Sequence, residues 1–180
     1  ELYNNINENN EIERVNLNQL YLDKLPNLKH VKVLGEFTCS NNNLQSLEGA
    51  PQYVGGDFVC YYNNLQTLEG APRYVGGSFN CRDNNLQSLE GAPQYVGGSF
   101  YCYSNNLQSL KGAPQHVEGS FNCDNDLIKY IRQAQKESAE KYPLPEEPDW
   151  ESIKKHYQEL YGNKRVSKER YTFKEFFNRV

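Results

Sequence analysis

Apolar positions along this chain recur at a fixed interval of 21 residues, not at the short period of one helix or one strand. Phenylalanines stand at Phe37, Phe58, Phe79, Phe100 and Phe121 with no insertion between copies. Each full copy reads F-x-C-x-x-N-x-L-x-x-L, then a Gly-Ala-Pro turn and, in most copies, a Val-Gly-Gly return to the next Phe. A period in this range is the signature of a solenoid. Phe and Cys alternate as inward residues of a very short strand, and the two leucines occupy inward positions of the bend that follows.

One such unit cannot bury its own apolar face. Stacked copies can, since each closes the face of its neighbour, with parallel strands about 4.8 Å apart. The pattern therefore predicts a Phe spine and two leucine columns, Leu44, Leu65, Leu86, Leu107 and Leu47, Leu68, Leu89, Leu110. Asn42, Asn63, Asn84 and Asn105 hold one position where the strand ends and the backbone turns inward. Buried backbone groups there need partners, and an amide side chain supplies both donors and acceptors. These asparagines are read as structural. Gly49, Gly70, Gly91 and Gly112 are assigned to tight turns, and Tyr53, Tyr74, Tyr95 and His116 to a column that packs between layers on the return arm. The Gly-Ala-Pro and Val-Gly-Gly segments leave no room for an ordinary helix, so the convex side is expected to be turns and extended chain.

Both ends depart from the repeat. Residues 1–14 read as an irregular, Asn- and Glu-rich lead-in. Val15, Leu17, Leu20, Leu22 and Leu25 reproduce the spacing over 15–36 as a capping unit one residue longer than the others, with Leu20 replacing the ladder Asn. The repeat region proper, 37–131, fades at its far end, where Asp126, Ile128 and Ile131 take the Asn and leucine positions. Residues 126–180 read as a helical extension. A first helix runs over about 126–141, a Pro-rich connector over 142–148, and a second helix is capped by Asp149 and ends at Gly162. Thr172 and Glu175 fit a capping box for a last one. The predicted fold class is a mainly β solenoid of short parallel strands with an α-helical C-terminal extension.

Composition changes this picture little. The low mean hydropathy is carried by Asn, Gln, Ser and Tyr of the repeat itself, so it does not imply disorder. The formal net charge of −4 argues against a simple electrostatic nucleic-acid binder. Charge is uneven: residues 1–125 carry 7 Lys or Arg against 13 Asp or Glu, and the remainder 12 against 10. No apolar run is long enough to cross a bilayer and no signal peptide is visible, so no membrane role is expected.

All five cysteines, Cys39, Cys60, Cys81, Cys102 and Cys123, fall on one repeat position. A line of single thiols suits core packing in a reducing cytoplasm better than a metal cluster or a disulfide scaffold. His30, His116 and His156 lie in unrelated segments without metal or triad spacing, and no Ser or Cys has an evident base. No catalytic residue, metal site or cofactor is assigned.

The residues flanking Phe and Cys point outward and differ from copy to copy. Among them, Asp57, Val59, Tyr61, Tyr62, Asn80, Arg82, Asp83, Tyr101, Tyr103 and Asp124 form the candidate partner-binding set. Tyr and Arg are favoured interface anchors, although tyrosines are also simply good strand residues on a solvated face. A second candidate surface is the tail from Tyr161, in which six basic residues, including Lys164, Arg165, Lys168 and Arg170, alternate with aromatics. It reads either as a solvated helix face or as a contact to nucleic-acid phosphates or an acidic partner.

The spacing over about Val15 to Ile131 resembles a leucine-rich repeat, with Phe, Cys and Gly-Gly in place of parts of the Leu-rich consensus. The wording N-N-L-Q-S-L-E-G-A-P, Y-V-G-G and F-x-C is similar to short repeat proteins of large bacteriophages and some bacteria. That resemblance implies a protein of the host cytoplasm that binds a bacterial host or rival protein, such as an inhibitor of a defence system. The expectation is a protein-binding module acting through its concave Tyr/Arg face, with pairing of two chains at the N-terminal cap edge as a further contact. The alternative is a nucleic-acid-binding accessory protein using the basic tail.

Overall fold

The computed structural model describes residues 5–124. The chain divides into two compact units, Glu1–Leu127 and Ile128–Val180. The predicted helices, the connector 142–148 and the tail cations Lys164, Arg165, Lys168 and Arg170 lie outside the described residues.

Within the described residues the chain is an alternation of two short strands per coil, stacked into two parallel sheets. The first sheet contains β1 (Glu11–Ile12), β3 (Lys32–Val33), β5 (Tyr53–Val54), β7 (Tyr74–Val75), β9 (Tyr95–Val96) and β11 (His116–Val117). The second contains β2 (Val15–Asn16), β4 (Phe37–Thr38), β6 (Phe58–Val59), β8 (Phe79–Asn80), β10 (Phe100–Tyr101) and β12 (Phe121–Asn122). Each strand pairs in register with the equivalent strand of the next coil, Phe58 opposite Phe79 and Tyr74 opposite Tyr95. The return arm, expected to be turns and extended chain, thus carries a sheet of its own. Strand β1 lies in the stretch read as an irregular lead-in.

The Phe spine is as the spacing predicts. Phe37, Phe58, Phe79 and Phe100 are fully buried, and successive rings stack 4.9 to 5.4 Å apart. Leu44, Leu65, Leu86 and Leu47, Leu68, Leu89 are sealed beside them, with Val54, Val75 and Val96 closing the core from the first sheet. On the outside of that sheet Tyr53, Tyr74, Tyr95 and His116 stack at 4.9 to 5.1 Å.

The asparagine ladder satisfies the inward turn as the chemistry requires. Asn84 Nδ2 donates to the carbonyls of Cys60, Cys81 and Arg82, each at 3.1 Å, and Oδ1 accepts the Leu65 N–H at 3.0 Å. Asn63 and Asn105 repeat the arrangement one coil either side. Beside it runs a ladder absent from the sequence reading. The N–H of Ser78 donates to Asp57 Oδ1, that of Ser99 to Ser78 Oγ, and that of Ser120 to Ser99 Oγ.

Glycine is required at two corners. Gly70 has φ +87°, in the left-handed region that side chains disfavour. Gly76 lies so close to the coil before it that a Cβ would stand 2.2 Å from the Gly55 carbonyl oxygen.

The capping unit differs at Leu20. Val15 pairs with Phe37 while Glu11 pairs with Lys32, so the extra residue sits in the arm between β2 and β3. The arm absorbs it with one further left-handed residue, Tyr21, beyond Gln19 at the regular corner. Leu20 is consequently 53% exposed and does not take the ladder position. Asn42 of the next coil reaches back as the other ladder asparagines do, accepting the Leu22 N–H and donating to the Leu17 carbonyl, and here it also accepts the Leu20 N–H.

All five thiols are free and buried. Burial pushes Cys39, Cys60 and Cys81 above the ordinary thiol value of 9.0. Cys102 is pushed up by its hydrogen bond with Cys123 and by burial, and the same bond holds Cys123 down.

Two predictions follow from this packing. Asn84→Ala strands the Leu65 N–H and inward carbonyls in the core, and the expected loss is roughly 3–5 kcal/mol. The exposed neighbour Asn85, replaced by Ala, should move stability by no more than about 0.5 kcal/mol; urea denaturation of the pair checks the contrast. The raised thiols also make stability pH-dependent. Because the folded chain keeps protons that the unfolded chain releases above its ordinary value, this contribution is complete below pH 9.0 and is lost as pH rises. Denaturation between about pH 7 and about pH 10 should show a fall approaching 1.4 kcal/mol per pH unit for each buried thiol at the alkaline end, and Cys81→Ala should remove one thiol's share of the slope.

Candidate functional site

The outer face of the Phe/Cys sheet is built by alternation: with Phe and Cys inward, the residue between them and the residue after Cys face out. This places Thr38, Val59, Asn80, Tyr101 and Asn122 in one column and Ser40, Tyr61, Arg82, Tyr103 and Asp124 in the next. Thr38 and Ser40 are buried, so the face opens only from β6 onward.

Its centre is Arg82. The guanidinium carbon lies 4.6 Å from the ring centroid of Tyr61, 5.6 Å from Tyr62 and 5.7 Å from Tyr103. Tyr61 and Arg82 and Tyr103 follow one another in successive coils, so the cation sits between phenol rings delivered by the 21-residue step. Arg82 Nη1 is 3.1 Å from Asp83 Oδ2. Tyr61 and Tyr62 meet edge to face at 5.4 Å.

Tyr62 carries local strain. The position after the outward pair is left-handed in each coil where it is described, with φ between +51° and +57° at Gln19, Asn41, Tyr62, Asp83 and Ser104. Asn, Asp and Ser are short polar residues, the first two of which tolerate this conformation readily; a tyrosine there is an outlier. It is also 52% exposed.

The acidic members of the predicted set divide. Asp83 faces Arg82, whereas Asp57 Oδ1 accepts the Ser78 N–H at 2.7 Å and belongs to the serine ladder. Asp124 Oδ1 accepts the Ser104 N–H at 2.7 Å and Oδ2 the Asn105 N–H at 3.4 Å. Asn80 Oδ1 accepts the Arg82 N–H at 3.3 Å, and Val59 lies half-buried on β6.

Tyr101, Tyr103, Asn122, Cys123 and Asp124 line an open cavity of about 430 Å³. The cavity adds Asn122 and Cys123 to the residues anticipated from sequence. Cys123 is buried like the other four thiols, as the repeat spacing predicts, and also borders the cavity. A second hollow of about 250 Å³ lies among Lys24, Leu25, Asn27, Lys29, Ser46, Glu48 and Gly49. Among the described residues no three His, Cys, Asp or Glu side chains converge as metal ligands.

No protein-family model, no curated protein and no solved structure matches this chain.

Proposed function

We propose that this solenoid is a protein-binding module that takes its partner on the outer face of the Phe/Cys sheet, centred on Tyr61, Tyr62, Arg82 and Tyr103. The observation that carries the reading is Tyr62. A large aromatic stands half-exposed in a left-handed corner where the equivalent residues are Gln, Asn, Asp and Ser. Tyr21 of the cap is also an exposed left-handed aromatic, but only Tyr62 stands beside an arginine already ordered by three phenol rings, and strain at such a place is a pattern of binding sites more than of scaffolds.

Preorganisation supports the same reading. The rings and the guanidinium are fixed by strands in register, so little side-chain freedom remains to be lost on association. Chemistry is assigned to none of these residues, and the chain is read as a non-enzyme. The resemblance of the repeat wording to short leucine-rich-repeat proteins of bacteriophages makes the partner a bacterial host or rival protein in the cytoplasm, and the effect of binding an inhibitory one. Five free, buried thiols suit that reducing compartment.

The test is capture from bacterial lysate with the native chain, with Tyr62→Asn, and with Tyr61, Arg82, Tyr101 and Tyr103 all replaced by Ala, followed by affinity measurement on the purified partner. Tyr62→Asn should fold with undiminished stability, since Asn suits the corner, and yet bind about tenfold more weakly. The quadruple variant should lose the partner. Equal capture by all three forms would overturn the reading, and removal of everything bound by nuclease would replace it with nucleic-acid binding.

A further inference from the structure

The Arg82 cluster shows within this molecule what its tyrosines hold: a guanidinium between phenol rings with a carboxylate at its edge. The next coils repeat those components without the cation. The cavity of about 430 Å³ is walled by Tyr101 and Tyr103, with the Asp124 carboxylate and the Asn122 amide on its margin. Tyr103 is common to both, facing Arg82 at 5.7 Å and also lining the cavity. In the column Tyr61, Arg82, Tyr103, Asp124, the arginine and the carboxylate occupy alternate coils on either side of shared aromatic walls.

We propose that this cavity is a binding site for a guanidinium group, the side chain of an arginine presented by the partner; the inference rests on the outer face being the binding face. Three features select that ligand. Phenol rings attract a cation over their faces, and a planar guanidinium stacks on them where an ammonium does not. Asp124 uses one lone pair on each oxygen for the Ser104 and Asn105 N–H groups, which leaves acceptor capacity for a forked donor, and the Asn122 carbonyl adds another acceptor. Among the described residues of this face, Asp57, Asp83 and Asp124 stand against Arg82 alone, whose charge is already met by Asp83. An anionic ligand would meet that field unfavourably, and an apolar one would leave the carboxylate uncovered.

The experiment is a titration of the full-length ¹⁵N-labelled chain with the probe acetyl-Gly-Gly-Arg-Gly-Gly-amide, beside its lysine and citrulline counterparts; citrulline keeps the shape of arginine and removes the charge. The arginine peptide should shift the amide signals of Tyr101, Tyr103, Asn122 and Asp124 and saturate at a lower concentration than the lysine or citrulline peptide. Asp124→Asn keeps an acceptor for the Ser104 N–H and should therefore fold, yet weaken the arginine peptide roughly three- to fivefold. Tyr101→Ala should weaken it similarly, and Tyr101→Phe, which retains the ring, should not. Tyr53→Ala, on the outer face of the other sheet, should leave it unchanged. Equal binding of the arginine and citrulline peptides, insensitivity to Asp124→Asn, or absence of shifts at those four amides up to millimolar peptide would each overturn the proposal. Loss of partner capture on replacing Tyr61 and Arg82, with no response to the arginine peptide, would retain the binding face and reject this ligand for the cavity.

Discussion

Each internal coil bends inward at an asparagine whose amide joins three carbonyls to the backbone N–H of the coil before it, and the rest of the solenoid depends on that bend. The turn puts backbone donors and acceptors into an apolar interior where water cannot serve them. The Asn63, Asn84 and Asn105 side chains each reach across two coils, so the ladder closes the turn and also fixes the register between neighbours. With register fixed, every identical position becomes a column. Phe stacks on Phe, Cys follows Cys, and the outward residues of successive coils are brought side by side.

The same translation explains why the corners tolerate so little change. At the Gly-Gly corner, where the two sheets meet, the coils approach until only hydrogen fits over the carbonyl of the preceding layer. The serine ladder then carries the backbone into the second sheet through side-chain acceptors rather than another strand bond. A scaffold so strictly repeated has one region free to vary, the outward pair on each Phe/Cys strand. There the chain places Val59, Tyr61, Arg82, Tyr101 and Tyr103, and the 21-residue step sets the guanidinium among the rings. The proposed site therefore requires no special loop. It is a consequence of three different side chains occupying one column of a rigid lattice.

The N-terminal cap shows how far that lattice stretches. One added residue in the arm after β2 turns Leu20 outward and adds the Leu20 N–H to the groups that Asn42 serves in the cap. The bend survives because the amide is supplied by the following coil. The cost appears instead as one additional left-handed residue, Tyr21.

The sequence by itself determined the solenoid, its period, its inward columns and the role of its asparagines, because stacking identical units converts a repeat directly into contacts. It also identified the variable outward positions, since alternation along a two-residue strand leaves no choice of face. Only the tertiary structure decided how those positions combine. That Arg82 is gathered by Tyr61, Tyr62 and Tyr103, that Asp57 and Asp124 are partly committed to backbone N–H groups, and that Cys123 reaches a cavity depend on the direction each side chain takes across neighbouring coils. The strain at Tyr62 was hidden for the same reason, because a left-handed corner occupied by Asn, Tyr, Asp and Ser has no single residue signature. The repeat sets where a residue stands, and its neighbours one coil away set what it can do there.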